Sequence, residues 1–161
     1  MVCVHTIESG GDAAVVSELA DLRDDLRRYR GQLLSLADAD ADAVDELVST
    51  RSGGNGQSEA KRATAVPLAI AEVCLSVLEH APFVTEHGNS NAVPDAVTGA
   101  FLAHAAVGAS AFIVRSNVER LDAPSFGDEM DRRATAVERS ADDAFERALA
   151  RGENDAAAGG S

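Results

Sequence analysis

The sequence has no tryptophan, a single tyrosine and a single lysine, Lys61. A chain so poor in aromatic rings offers no platform on which nucleobases could stack. Its two cysteines, Cys3 and Cys74, form no C-x-x-C pair, which excludes a zinc ribbon, a redox dithiol and a disulfide framework. Basic residues are also scarce, 14 against 27 acids, for a net charge of −13. A surface of that sign repels phosphate backbones and anionic lipid, so neither nucleic acid nor a membrane is an expected partner. Met1 to Glu8 is too short for a signal peptide and has no basic residues ahead of it, so a cytoplasmic location is expected.

What the chain does have is length and apolar content. With 161 residues, 45% of them hydrophobic and 25% charged, it is one domain able to bury a core. The charged residues are 15 Asp, 12 Glu and 13 Arg beside the lone Lys. Such a surface reads as halophilic: a Debye length of about 3 Å at 1 M salt screens its self-repulsion.

The hydrophobic pattern has helical periods and no alternating strand pattern. From Asp12, an expected N-cap, apolar residues recur at Val15, Leu19, Leu22, Leu26, Tyr29, Leu33 and Leu36, spaced by threes and fours. The polar run 49–57 ends this helix. A second helix is expected from Ser58 to Val84, kinked or split at Pro67. Gly88 is the expected left-handed C-cap of that helix, and Asn91 the N-cap of the next, Ala92 to Arg120. Within that third helix, 96–114 is nearly free of polar side chains. A helix apolar all round suits the crowded centre of a bundle better than a bilayer. Ser125 and Asp128 form a capping-box pattern for a last helix reaching Arg151, with Gly152 to Ser161 as a disordered tail. The expectation is a single all-α domain over 1–151, an antiparallel up-and-down bundle of about four to five long helices.

Common catalytic signatures are missing: no phosphate-binding loop, no dinucleotide fingerprint, no H-E-x-x-H and no Glu-x-x-His. The four histidines, His5, His80, His87 and His104, lack ligand spacing, so no metal is expected. Two polar clusters remain. Gly88 to Asp95 is dense in polar groups where it enters an apolar helix. Its amides suit an anionic or polar ligand and its carboxylate suits proton transfer, although capping accounts for the same residues. Asp38, Asp42 and Asp45 share one side of the first long helix, a solvated acidic face or a site. Arg115 and Asn117, next to the apolar run, either pair across the bundle or meet a ligand.

Three of these stretches resemble the cyclodeaminase/cyclohydrolase family. They are Val66-Pro67-Leu68-Ala69-Ile70-Ala71-Glu72, Gly88-Asn89-Ser90-Asn91-Ala92-Val93-Pro94-Asp95-Ala96 and Val114-Arg115-Ser116-Asn117-Val118, in that order. Leu33 to Asp40 followed by Asp45 is similar to the family's first long helix. This is the family of methenyltetrahydrofolate cyclohydrolase-like proteins and of the C-terminal part of formiminotransferase-cyclodeaminase. Its members usually begin with a glycine-rich loop and an Ala-rich helix that leads into a segment resembling Met1 to Ile7. The expectation is therefore either a fragment of a chain whose true start lies upstream, or a copy that has lost the loop and part of its site, with impaired activity.

The resemblance implies a tetrahydrofolate derivative as substrate, no cofactor, and a homodimer. It implies Asp95 as acid/base or cation partner, with Asp38 as a second carboxylate. Asn89 and Asn91 would orient the substrate, with Asn117 behind them, and Arg115 would hold the folate's carboxylate tail. The competing reading is a non-catalytic helical subunit that assembles with itself or with a formiminotransferase. The composition alone makes one prediction: the far-ultraviolet circular dichroism and melting temperature fall on dialysis below about 1 M salt, whereas full stability in dilute buffer refutes the halophilic reading.

Overall fold

A computed structural model describes residues 2–9, 12–50 and 56–158. It contains five α-helices: α1 (Val2–Ser9), α2 (Ala13–Thr50), α3 (Gln57–His87), α4 (Val93–Val118) and α5 (Pro124–Ala158). A 3-10 turn, Ser90–Ala92, leads into α4. No strand occurs among the described residues. The all-α bundle is therefore as the periodicity requires.

Cross-links between the helices set their directions. Glu46, late in α2, pairs with Arg62, early in α3, at 2.7 Å, so these helices are antiparallel. Arg115 and His104 of α4 pair with Glu138 and Asp142 of α5, in reversed order along the chain. Glu72 of α3 meets Arg133 of α5 at 2.6 Å. These exposed or half-exposed pairs fix register more than they add stability.

α3 is the central helix and packs against α2, α4 and α5. Its middle meets the other two in one apolar layer: Ala71, Cys74 and Leu78 against Ala100, Ala103 and Val107 of α4 and Val137, Ala141, Ala144 and Ala148 of α5. The layer continues through Leu68, Ala111, Val114, Met130 and Ala134. On α5 the buried residues fall at 130, 134, 137, 141, 144 and 148, spaced by fours and threes, the seam of a coiled-coil contact. Most are alanine, so the backbones approach closely. A third cluster, Cys3, Leu19, Leu22 and Val84, ties α1 and the start of α2 to the end of α3. Burial pushes the Cys3 and Cys74 thiols up, so both stay protonated and poorly nucleophilic.

Several local expectations change. Asp12 does cap its helix, its Oδ1 accepting from the Ala14 amide at 2.8 Å. Pro67 does not split α3, which is continuous through both Pro67 and Pro82. Gly88 is extended, with φ −68° and ψ 162°, rather than left-handed. Glycine is required there by space: an added Cβ would lie 2.4 Å from the Val84 carbonyl oxygen. Asn89, not Asn91, is the capping residue, its side chain accepting from the Asn91 amide at 3.0 Å. Ser125 does not open α5: Pro124 takes the first helical position, where its missing N–H costs nothing. The Ala123 carbonyl accepts from Phe126 and Gly127 to start the turn. α5 also runs past Arg151 to Ala158, since one glycine costs a helix only about 1 kcal/mol and alanines follow it.

The largest revision concerns α4. It is not enclosed at the bundle centre: Phe101, Leu102, Phe112 and Ile113 are 44 to 72% exposed. α3 and α4 (with its entry turn) are the two helices among the described residues long and apolar enough to cross a membrane, yet only the inner face of α4 is buried. The alanine seam of α5 yields a prediction: Ala144→Leu, at a fully buried position, overpacks the contact with α3. It lowers stability by about 1–3 kcal/mol in urea unfolding, whereas Ala136→Leu, on the exposed side of α5, leaves it nearly unchanged.

Candidate functional site

The loop between α3 and α4 is tied down at its start. The Asn89 amide donates to Thr6 Oγ1 at 2.7 Å, and Thr6 Oγ1 donates to the Val2 carbonyl at 3.0 Å. α1 thus anchors the polar loop directly, and Thr6 is a positioning residue that sequence reading passed over. The loop starts α4 so that Asp95 lies in its first turn, a favourable place for a carboxylate beside the helix N-terminal dipole.

Asp95 borders a cavity of about 300 Å³. The walls come from four helices: Val2 and Cys3 of α1, Leu26 of α2, Val77, Leu78 and His80 of α3, and Ala96 and Gly99 of α4. Nearly all of this surface is apolar, with Asp95 and His80 as its titratable polar groups apart from the Cys3 thiol. The volume lies at the lower end of the range for small-molecule sites. Gly99 leaves the α4 side open, since a Cβ there would meet nothing within 4 Å. His80 is held by stacking on Tyr29 of α2, with ring centroids 6.0 Å apart. A second, shallower groove of about 350 Å³ adjoins the first, sharing Leu26 and Val77 and reaching Arg30, Leu33 and Leu34 along α2. The seam between α2 and α3 is therefore apolar from the Asp95 end to a guanidinium at the other.

The other predicted site residues do not converge on this cavity. Asn91 is exposed on the 3-10 turn, and the Asn89 side chain caps that turn. Asp38 is exposed on α2, about 18 Å along the helix from Leu26 at 1.5 Å per residue. Arg115 and Asn117 sit at the far end of α4, about 30 Å along its axis from Asp95.

Arg115 is fully engaged there. Its guanidinium donates to both Glu138 carboxylate oxygens, at 2.5 and 3.1 Å, to Asp131 at 2.9 Å and to Thr135 Oγ1 at 3.2 Å. The hydrogen bonds to Glu138, and then those to Asp131, push its pKa above the ordinary arginine value. The pairing reading, α4 to α5, accounts for Arg115.

Asn117 also pairs across the bundle, and its partner explains Pro67. Proline has no N–H, so Pro67 leaves the carbonyl four residues earlier, that of Ala63, without its helical donor. Asn117 Nδ2 donates to that carbonyl at 3.0 Å. Two motifs half a chain apart are thus one structural device. The signal for it was legible, a helix-interior proline and a lone amide in an apolar helix, but only the fold brings the two together.

Residues 1–136 match the model of the formiminotransferase-cyclodeaminase family. A methenyltetrahydrofolate cyclohydrolase from Methylorubrum extorquens is 32% identical over 145 residues, covering 80% of this chain and 68% of that protein. The crystal structure of formiminotetrahydrofolate cyclodeaminase from Thermotoga maritima superposes with a TM-score of 0.91 at 22% identity, covering 96% of this chain and 79% of that one. The structural likeness establishes the shared fold.

The proline–amide pair makes a sharp prediction. Asn117→Ala leaves a buried carbonyl unsatisfied and costs about 1–3 kcal/mol in urea unfolding. In a Pro67→Ala background, where residue 67 regains its own donor, the same change costs well under half as much. Equal costs in the two backgrounds refute the pairing.

Proposed function

Because the chain belongs to the formiminotransferase-cyclodeaminase family, we propose that it is an enzyme of folate one-carbon metabolism that hydrolyses methenyltetrahydrofolate to the formyl derivative. The observation that carries the reading is Asp95, an acid in the first turn of α4, among the residues that line an apolar cavity. The choice of hydrolysis over deamination rests on the sequence relative named for it.

The chemistry asks for little. The substrate carries a cationic carbon between two nitrogens. A carboxylate beside it stabilises that charge and attracts the cation. Water adds to the carbon, and Asp95 accepts the proton lost as the carbon–oxygen bond forms. The neutral adduct then loses its hydroxyl proton, one carbon–nitrogen bond breaks, and the leaving nitrogen takes up a proton. The products are the formyl compound and one net proton. His80, across the same cavity, is the second group able to pass a proton to that nitrogen.

The adjoining groove supports a bound pose. Its apolar walls, Leu26, Leu33 and Val77, suit the aromatic linker of the substrate, and Arg30 at its end suits the carboxylate tail. In this pose Arg30 takes the role expected of Arg115, which is held by Glu138 and Asp131. Asn89 contributes by shaping the loop that presents Asp95, and Asp38 takes no part.

Following the loss of methenyltetrahydrofolate absorbance in multi-molar potassium chloride tests the proposal. The chain accelerates the decay over the spontaneous rate. Asp95→Asn lowers kcat by about 10²-fold or more while the melting temperature stays within a few degrees, since Asp95 is exposed. Arg30→Ala raises KM about tenfold and leaves kcat unchanged. No acceleration, with ammonia released from formiminotetrahydrofolate instead, moves the assignment to cyclodeamination. Silence with both substrates refutes catalysis and leaves a helical subunit.

A further inference from the structure

Two glycines answer to a neighbour in the chain. An added Cβ would lie 2.4 Å from the Val84 carbonyl oxygen at Gly88, and 2.9 Å from Val118 Cγ1 at Gly127. Three others do not. Gly31, Gly99 and Gly108 stand inside α2 and α4, and a Cβ on any of them would meet nothing within 4 Å. No contact and no turn asks for glycine there, and each costs its helix stability that an alanine would return. Of the three, Gly99 lines the cavity at Asp95. Gly31 and Gly108 line neither that cavity nor the groove beside it.

α4 presents Asp95, Ala96, Gly99 and Ala100 to this cavity. Asp95 and Gly99 are four residues apart, so they share a face with about 6 Å between them along the axis. Beyond the carboxylate, then, this wall is methyl groups and bare backbone. The walls from α2 and α3 carry branched side chains instead, Leu26, Val77 and Leu78 among them. Gly99 is exposed while the adjacent Ala100 is buried, so the gap it leaves opens toward solvent. A space with one wall of open helix backbone admits a flat ring close to the helix axis. Any side chain at position 99 would hold that ring off the helix and away from the carboxylate one turn earlier.

Size and charge decide what enters. At about 300 Å³ the cavity houses one end of a folate rather than the whole. The tail of a folate is anionic, and Asp95 repels it. The ring end carries the cationic carbon, which Asp95 attracts.

Building on the folate reading above, we propose that Gly99 is the seat of the substrate's fused ring, which lies flat on the α4 backbone with its cationic carbon toward Asp95. Gly99 is thus a specificity-determining residue, and what it contributes is the absence of a side chain.

The test is calorimetric titration in multi-molar potassium chloride with two probes. Folinic acid is a stable formyl derivative that keeps the ring; p-aminobenzoylglutamate has the tail without it. Gly99→Leu weakens folinic acid binding about tenfold or more, the scale of overfilling a packed site, and raises KM for methenyltetrahydrofolate alike. The same substitution raises the melting temperature by about 2–4 °C, because it removes a glycine from a helix interior. Gly108→Leu raises it equally and leaves affinity and KM unchanged. If the chain turns over its substrate and loses turnover with Asp95→Asn, yet binds folinic acid equally before and after Gly99→Leu, the seat is overturned and the folate reading stands. A Gly99→Leu chain that loses p-aminobenzoylglutamate as strongly as folinic acid also overturns the seat, since the tail then fills the cavity. An unsubstituted chain that neither turns over nor binds any folate overturns that reading and the seat with it.

Discussion

The bundle depends on one hydrogen bond that replaces the one a proline removes from a continuous helix. α3 is the element on which α2, α4 and α5 all pack, and Pro67 stands inside it. A proline there removes a backbone donor and leaves the Ala63 carbonyl without its partner in a buried stretch, since Ala63, Thr64, Pro67 and Leu68 are all buried. Asn117 supplies the donor from α4. The bond does more than satisfy an oxygen. It fixes the axial position of α4 against α3 at one end, while at the other the Asn89–Thr6 bond ties the loop that starts α4 to α1. Between these two points the ion pairs of α4, His104 with Asp142 and Arg115 with Glu138, run to α5, and its inner face is small and apolar.

Small residues explain the economy of the core. Alanine dominates the contact of α5 with α3 and α4, so the helices lie close and few large side chains are buried. Among the described residues no buried side-chain polar atom lacks a partner. The polar groups that do enter the interior turn back on their own helix: Thr64 bonds the Ala60 carbonyl and Thr85 the Pro82 carbonyl. Close packing of small residues also means that the large ones in α4 have no room inside. Phe101, Leu102, Phe112 and Ile113 are carried outward, onto the exposed face of α4.

Much of the fold was legible in the chain. The spacing from Val15 to Leu36 located α2, Asp12 located its start, and the polar run after it located its end. The loop at 88–92 and the turn at 121–124 divided the remaining helices within a few residues. Other features were misread for physical reasons. Gly88 looked like a left-handed cap because glycine usually serves that purpose, yet here it makes room beside the Val84 carbonyl. An apolar helix looked fully enclosed because composition does not tell which of its faces a neighbouring helix covers.

The site was legible in one residue only. Asp95 could be singled out from a polar loop entering an apolar helix, and it does border a cavity. Arg115 and Asn117 carried the same kind of signal, a polar group at the end of an apolar run, and both turned out to hold helices together. The sequence by itself determined helix positions, the amphipathic faces and the net charge, because these follow from local periodicity and counting. Tertiary structure alone decided which lone polar residue answers a neighbouring helix and which faces a cavity. It alone brought Leu26, His80 and Asp95 around one space, because separate helices, packed side by side, set that geometry and no spacing along the chain records it.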